Sequence, residues 1–535
     1  MRALLKLASV AGLGMWLLST AVARERWIHA RTEHFEMFSC ASEGDSRDLL
    51  GKLEQFRATV LKFFPLRQDR EPRATVVLFE TDRQFAPYKP LYDGKPKNVA
   101  GYFVGFPDEA VIALTNERDL EATMETIFHE YVHLLLEARG DRPPPWLNEG
   151  LAEAFSTFRT KGDTFEVGRT KPAHLMLLSQ ASLLPLQQLF AVTRESPEYN
   201  EGRRQGIFYA ESWAFVHFVV FGKDRAAYGP KLARFLVLSA APGAMLERGF
   251  REAFEMNYDD MEGKLRDYLR GGRYGIASGK LERSDLLARI TFQPADDFER
   301  NVALINLRWR IQQLGNTAYE LRQLAAAHPQ SPRPHEVLAA VAMREQDVGE
   351  AFHQWQQAAD LGSDNAFVYV QLANERLRQM MVGLSLDYRM PADSAADLRG
   401  WLDRAITLSP DYLEAYDALA MVEALAEKPR IDVVNRVQQA VPRMRDKARG
   451  LFAVAVVHWR LQDFGTSRRI VEALRAESQT PSQIRRLAQQ LDQRLPPAAV
   501  AGSEPAPQTM IKHVKTITLQ KIIFFSLPIS ISPFR

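Results

Sequence analysis

Five alanines set the tightest limit on what this chain folds into. Ala325, Ala359, Ala405, Ala440 and Ala473 hold the same place in five helix-prone stretches: "LRQLAAAHPQSP", "WQQAADLGSDN", "WLDRAITLSPD", "VQQAVPR" and "VEALRAES". The steps between them are 34, 46, 35 and 33 residues, and the long one includes the insert "MMVGLSLDYRMPAD" (380–393). A unit of that length without strand patterns is a helix pair. It cannot bury its apolar face alone, so copies stack, with a small residue where helices approach closely. A helical bundle without repeat symmetry is the other reading of the same composition. On either reading residues 298–495 are all-helical, and the aligned Trp355 and Trp401 belong to the core.

The first half is patterned differently. "HFEMFS" (34–39) alternates as a strand does, and 45–65 carries apolar residues at helical spacing after an acidic first turn. "RATVVLFET" (73–81), "NVAGYFVGF" (98–106) and "EAVIALTN" (109–116) read as strands, the last two joined at Pro107-Asp108. A helix from about 119 to 139 stops at Gly140 and the run Pro143-Pro144-Pro145. Strands first and helices after make an α+β unit over 24–270, with 271–297 as a linker to the helical region.

The ends and the charge narrow the function classes. Arg2 and Lys6 precede an apolar run from Leu7 to Leu18, and Ala21-Val22-Ala23 is a small-residue cleavage pattern. A cleaved signal peptide over 1–23 is expected, with export to the periplasm or the medium. A membrane anchor is the alternative, but the run falls short of the ~20 residues that span a bilayer. No membrane span is expected after cleavage. Cys40 is the only cysteine, so no intramolecular disulfide forms. With 68 basic and 66 acidic side chains and no basic tract, nucleic acid is not an expected partner. Residues 496–535 read as a disordered tail; its apolar end is interrupted by Lys521 and Pro528.

The chemistry concentrates in "ETIFHEYVHLLLEARGDRPPPWLNEGLAEAFSTF" (125–158). His129 and His133 lie one helical turn apart and project from one face, a two-point clamp for tetrahedral zinc. Glu130, rotated about 100° from His129, is placed to act as a general base. A second helix starts after the prolines, where Glu149 can supply a third ligand and leave one position open. Glu153, one turn further, can accept the free Nδ1–H of a ligand histidine and fix its tautomer. Charge placement at a helix N-terminus is the ordinary explanation for Glu149 taken alone. An acyl-transfer site also needs an oxyanion donor. Tyr209 is the first candidate, because "FYAESWAFVHFVV" (208–220) follows the site and resembles the later helix of zinc metallopeptidase domains, with Tyr199 second and His217 third. A buried phenol with no catalytic role is the other reading of Tyr209. His29, His34 and His174 have no partner spacing and read as satisfied polar groups; none of His328, His335, His353 and His458 pairs into a ligand motif.

"HEYVH" and the glutamate of "WLNEGLAE", with fifteen residues between His133 and Glu149, resemble a gluzincin metallopeptidase, and more narrowly the bacterial peptidase-MA-like domains. The resemblance implies a zincin-like fold, Zn2+ on His129, His133 and Glu149, Glu130 as catalytic base, and substrate backbone bound along an edge strand, here "VAGYFVGF". The Gly-x-Met-Glu-Asn signature of the large aminopeptidases in that group is absent, and the metal motifs lie closer together than theirs. The helical region is similar to a tetratricopeptide-repeat solenoid, which implies a protein partner. The function expected is that of an exported zinc-dependent peptidase acting on a peptide or protein, its repeats recruiting substrate or partner. The alternative is a non-catalytic repeat scaffold or assembly factor with a structural or vestigial zinc site.

Overall fold

The computed structural model describes residues 25–533 except 64–73, 107, 119, 139–142, 240–244, 282–288, 313, 381–385, 442–443, 445–446, 477–479 and 497–529. The expected signal peptide therefore lies outside the described residues, as does most of the expected tail. The chain begins with β1 (Ile28–Arg31), β2 (Phe35–Ser39), α1 (Glu43–Phe63) and β3 (Ala74–Phe79). After a short capped helix, α2 (Asp82–Phe85), come the two-residue strands β4 (Leu91–Tyr92) and β5 (Lys95–Pro96), then β6 (Gly101–Gly105) and β7 (Ala110–Thr115). Strands β2, β3 and β7 run parallel, with Val76 opposite Ile112; β1 and β6 flank them antiparallel. β6 ends the sheet order, so its outer edge carries no strand among the described residues.

Every residue of β3 and β7 is buried. Successive strand side chains point to opposite faces, so such strands need cover on both. Val76, Leu78, Ile112 and Leu114 face α1 and the helix α3 (Leu120–Ala138), where Phe56 stacks on Phe128 at 4.1 Å. Val77, Phe79, Val111 and Ala113 face the other way, onto Trp27, Phe85, Ala303 and Leu307.

The site-bearing helix α4 (Pro145–Phe155) follows α3, then the hairpin β8 (Arg159–Lys161) and β9 (Thr164–Val167). Helices α5 (Pro172–Gln180), α6 (Leu186–Ala191), α7 (Pro197–Asn200), α8 (Gly202–Phe221), α9 (Arg225–Ser239), α10 (Leu246–Phe254) and α11 (Tyr258–Gly271) complete the helical layer. The expected linker is not one. Residues 271–297 hold β10 (Gly275–Lys280), paired with β9, and β11 (Gln293–Pro294), paired with β1. Their glycines, proline and short length hid them from a pattern reading. At the far end of the chain β12 (Ser530–Pro533) lies antiparallel to β10.

The next helix, α12 (Asp297–Gln312), carries Ala303 and Leu307, the cover for the second sheet face. The helical half thus begins inside the core of the α+β unit. Arg310 pairs with Asp108 and Asn306 donates to Glu109. Buried Glu36 receives His29, Arg31 and, from the repeat side, Arg333 at 2.9 Å.

Ten more helices continue the array: α13 (Thr317–Ala327), α14 (Arg333–Arg344), α15 (Val348–Asp360), α16 (Ala366–Met380), α17 (Ala392–Leu408), α18 (Leu413–Leu425), α19 (Ile431–Ala440), α20 (Lys447–Arg460), α21 (Phe464–Ala476) and α22 (Ser482–Asp492). Ala325, Ala359, Ala405, Ala440 and Ala473 fall on alternate helices, α13 to α21, so the repeating unit is a helix pair. Ala405 and Ala440 are buried, whereas the other three are half-buried; Ala358, not Ala359, takes the close contact in α15. Trp355 is buried against Phe367, and half-buried Trp401 packs between neighbouring clusters. The long step is stitched in by backbone and side chain: Met390 N–H donates to Leu425 O, and Arg460 donates to the carbonyls of Leu386, Tyr388 and Ala426. No helix among the described residues is long and apolar enough to cross a membrane.

Candidate metal centre

Helix α3 presents His129 and His133 with ring centres 4.7 Å and Nε2 atoms 3.1 Å apart. From α4, Glu149 Oε2 stands 3.5 Å from His129 Nε2 and 3.4 Å from His133 Nε2. Ligand atoms about 2.0–2.1 Å from one tetrahedral centre stand about 3.3 Å from each other. The triangle therefore has the size of one face of a zinc coordination shell. Glu149 Oε2 is also buried without a hydrogen bond, while Tyr199 donates to Oε1 at 2.8 Å. One oxygen is tied back and the other is left to the histidines. Burial pushes the Glu149 carboxyl up, but the His129 and His133 imidazoles beside it and the Tyr199 hydroxyl bring it down to about 2.

Glu130 is half-buried on α3. Burial pushes the His133 imidazole down, yet the Glu149 carboxylate beside it and the charge of Glu130 hold it above its ordinary value. The Tyr209 ring lies 6.3 Å from that of His129 and nearly parallel to it, and 6.2 Å from Tyr199. Burial first, then the charge of Glu149, keeps the Tyr209 hydroxyl protonated well above the usual phenol range. His217 is elsewhere. Fully buried, its Nε2–H donates to the Gly168 carbonyl at 2.7 Å and its Nδ1 accepts from the Tyr268 hydroxyl at 2.7 Å. With both nitrogens engaged it has no free group for an oxyanion, which corrects the third candidate.

Glu153 sits one turn beyond Glu149 with Oε1 3.6 Å from His129 Nδ1. Its other oxygen meets two side chains that no spacing rule pointed to: Lys171 through Nζ, and His174 with Nε2 at 3.1 Å. Burial pushes the Glu153 carboxyl up; His174 beside it and the Lys171 and His129 charges overcome this and bring it down to about 2. Lys171 and His174 lie past the β8–β9 hairpin, so only the tertiary fold brings them here.

The centre is backed by α8. Gly150 of α4 meets Ser212 and Val216 so closely that a Cβ would come within 3.0 Å of both. The neighbouring Glu211 is buried, accepts Leu184 N–H at 2.7 Å through Oε2, and has Oε1 without a partner. Burial, with the Glu262 charge adding to it, raises its carboxyl to about 8. Between the ordinary carboxylate range and about 8 the native chain holds a proton that the unfolded chain has released. Stability from this group is therefore full at low pH and lost as pH rises through that window. Glu211→Gln is expected to flatten the fall in melting temperature between pH 5 and pH 9; an unchanged slope would count against a protonated Glu211.

Neither protein-family models nor curated proteins give a match to the chain. Among solved structures, the P58(IPK) TPR domain matches at 14% identity over 55% of this chain and 89% of that chain, with a TM-score of 0.17. At that TM-score the fold rests on the chain's own helices and strands.

Proposed function

We propose that residues 25–294 form a zinc-dependent peptidase unit of the gluzincin kind, exported and joined to a tetratricopeptide-like array that recruits a protein substrate or partner. The observation that carries this reading is the near-equilateral triangle of His129, His133 and Glu149 ligand atoms. These three would hold zinc, which when bound supplies Lewis-acid polarisation of a scissile carbonyl and of the attacking water. Glu130 takes a proton from that water at its carboxylate and passes it to the leaving amine. The Tyr209 hydroxyl donates to the developing oxyanion. The open edge of β6 offers backbone pairing to an extended peptide. Tyr199 and Glu153 orient Glu149 and His129.

Metal analysis of the purified chain tests the reading: about one zinc per chain is expected, lost in His133→Ala and Glu149→Ala. A folded wild-type chain that holds none after zinc supply and dialysis would overturn it. The extent of the array, α12 to α22, favours a second reading, a partner-binding scaffold with a structural metal. On that reading chelation lowers the melting temperature and abolishes no hydrolysis.

A further inference from the structure

Glu153 divides its two oxygens between two tasks. Oε2 takes both Lys171 Nζ and His174 Nε2, while Oε1 alone faces His129 Nδ1. The terminal torsion of a glutamate is soft and nearly two-fold, so an unheld carboxylate turns freely. An ammonium bonded to that oxygen, with an imidazole nitrogen 3.1 Å from it, restrains the rotation.

The segment that brings them is itself fastened. Thr157 Oγ1, just past the end of α4, accepts from Gly168 N–H at 3.1 Å and Arg169 N–H at 2.9 Å. His217 holds the Gly168 carbonyl from the other side. Lys171 also reaches Ser156 Oγ at 3.4 Å, and Pro172 opens α5 directly after it, with His174 in the first turn.

We propose that Lys171 and His174 are positioning residues that lock the rotation of the Glu153 carboxylate, reserving Oε1 for His129 Nδ1–H and thereby aiming His129 Nε2 at the metal position. Neither touches a ligand atom; both act through Glu153. This rests on the metal-centre reading above. A ligand histidine whose second nitrogen loses its acceptor loses tautomer and orientation, at a cost of about 10–100-fold in metal affinity.

The test is zinc affinity by chelator competition, with the visible spectrum of the cobalt(II) chain as a report on ligand geometry. Lys171→Met and His174→Leu are each expected to weaken zinc about tenfold or more and shift the cobalt bands, while the donor-retaining Lys171→Arg and His174→Gln stay within about threefold of wild type. Melting curves of the metal-free chains separate lost metal from lost fold, and His174→Leu carries the test should Lys171→Met not fold. Wild-type affinity and spectra in both neutral variants would overturn the clamp alone, as would equal losses in the donor-retaining pair. A wild-type chain that binds no zinc overturns the metal centre itself, and the clamp with it.

Discussion

A Glu130→Gln chain is expected to keep its zinc and lose peptide hydrolysis by a factor of about 10²–10⁴. The substitution preserves shape and removes one capacity, since an amide cannot take a proton from water at neutral pH. Zinc retention follows from the geometry, because the triangle is closed by His129, His133 and Glu149 without Glu130. The rival role for Glu130 is electrostatic support, since its charge already acts on His133. Support alone predicts the reverse pattern, with weaker zinc and turnover per bound zinc unchanged. Turnover and zinc affinity measured on the same preparations separate the two. Hydrolysis within tenfold of wild type would remove Glu130 from the base role, and no hydrolysis in either chain would favour the scaffold reading.

The parts of this fold that a pattern reading reaches are those where one residue type repeats at one spacing. The apolar runs 76–79 in β3 and 110–114 in β7 state their own burial, and the alanine series states a helix pair. Two histidines at one-turn spacing share a face wherever a helix forms, so that half of the centre is local. The rest is not. Whether Glu149 meets the histidines depends on how the prolines turn the chain, and the clamp on Glu153 arrives from α5. Tyr199, ranked below Tyr209, is the tyrosine bonded to Glu149, because the turn of α7 brings it over α4. α12 reads as one more repeat helix, since amphipathic spacing says that a helix buries a face and not which layer it covers. Its partner face on the sheet is equally silent about what lies on it. Long-range pairing of this kind leaves no local signature, and it also hid β10 and β11 in an apparent linker.

The largest structural effect is expected from one methyl group. Gly150 sits between Glu149 and Leu151 in α4, where most residues favour a helix more than glycine does. On propensity alone Gly150→Ala would add about 0.5–1 kcal/mol of stability. Packing reverses the sign. An added Cβ would run into the Ser212 carbonyl oxygen and its carbon, which are helix backbone with no rotamer to yield, and into Val216. Overpacking of this kind costs about 1–3 kcal/mol. Relief means moving α4 off α8, and α4 carries Glu149 and Glu153. An ångström of movement there opens a triangle whose sides are 3.1, 3.4 and 3.5 Å. Gly150→Ala is therefore expected to lower stability and to weaken zinc binding together. Gly263→Ala, in α11 with nothing within 4 Å of the added carbon, serves as the control and should be neutral or stabilising. Denaturant unfolding and zinc affinity on both variants check this. A Gly150→Ala chain as stable as Gly263→Ala, with wild-type zinc affinity, would mean that α4 and α8 do not meet as closely as drawn, and the support beneath Glu149 would have to be sought elsewhere.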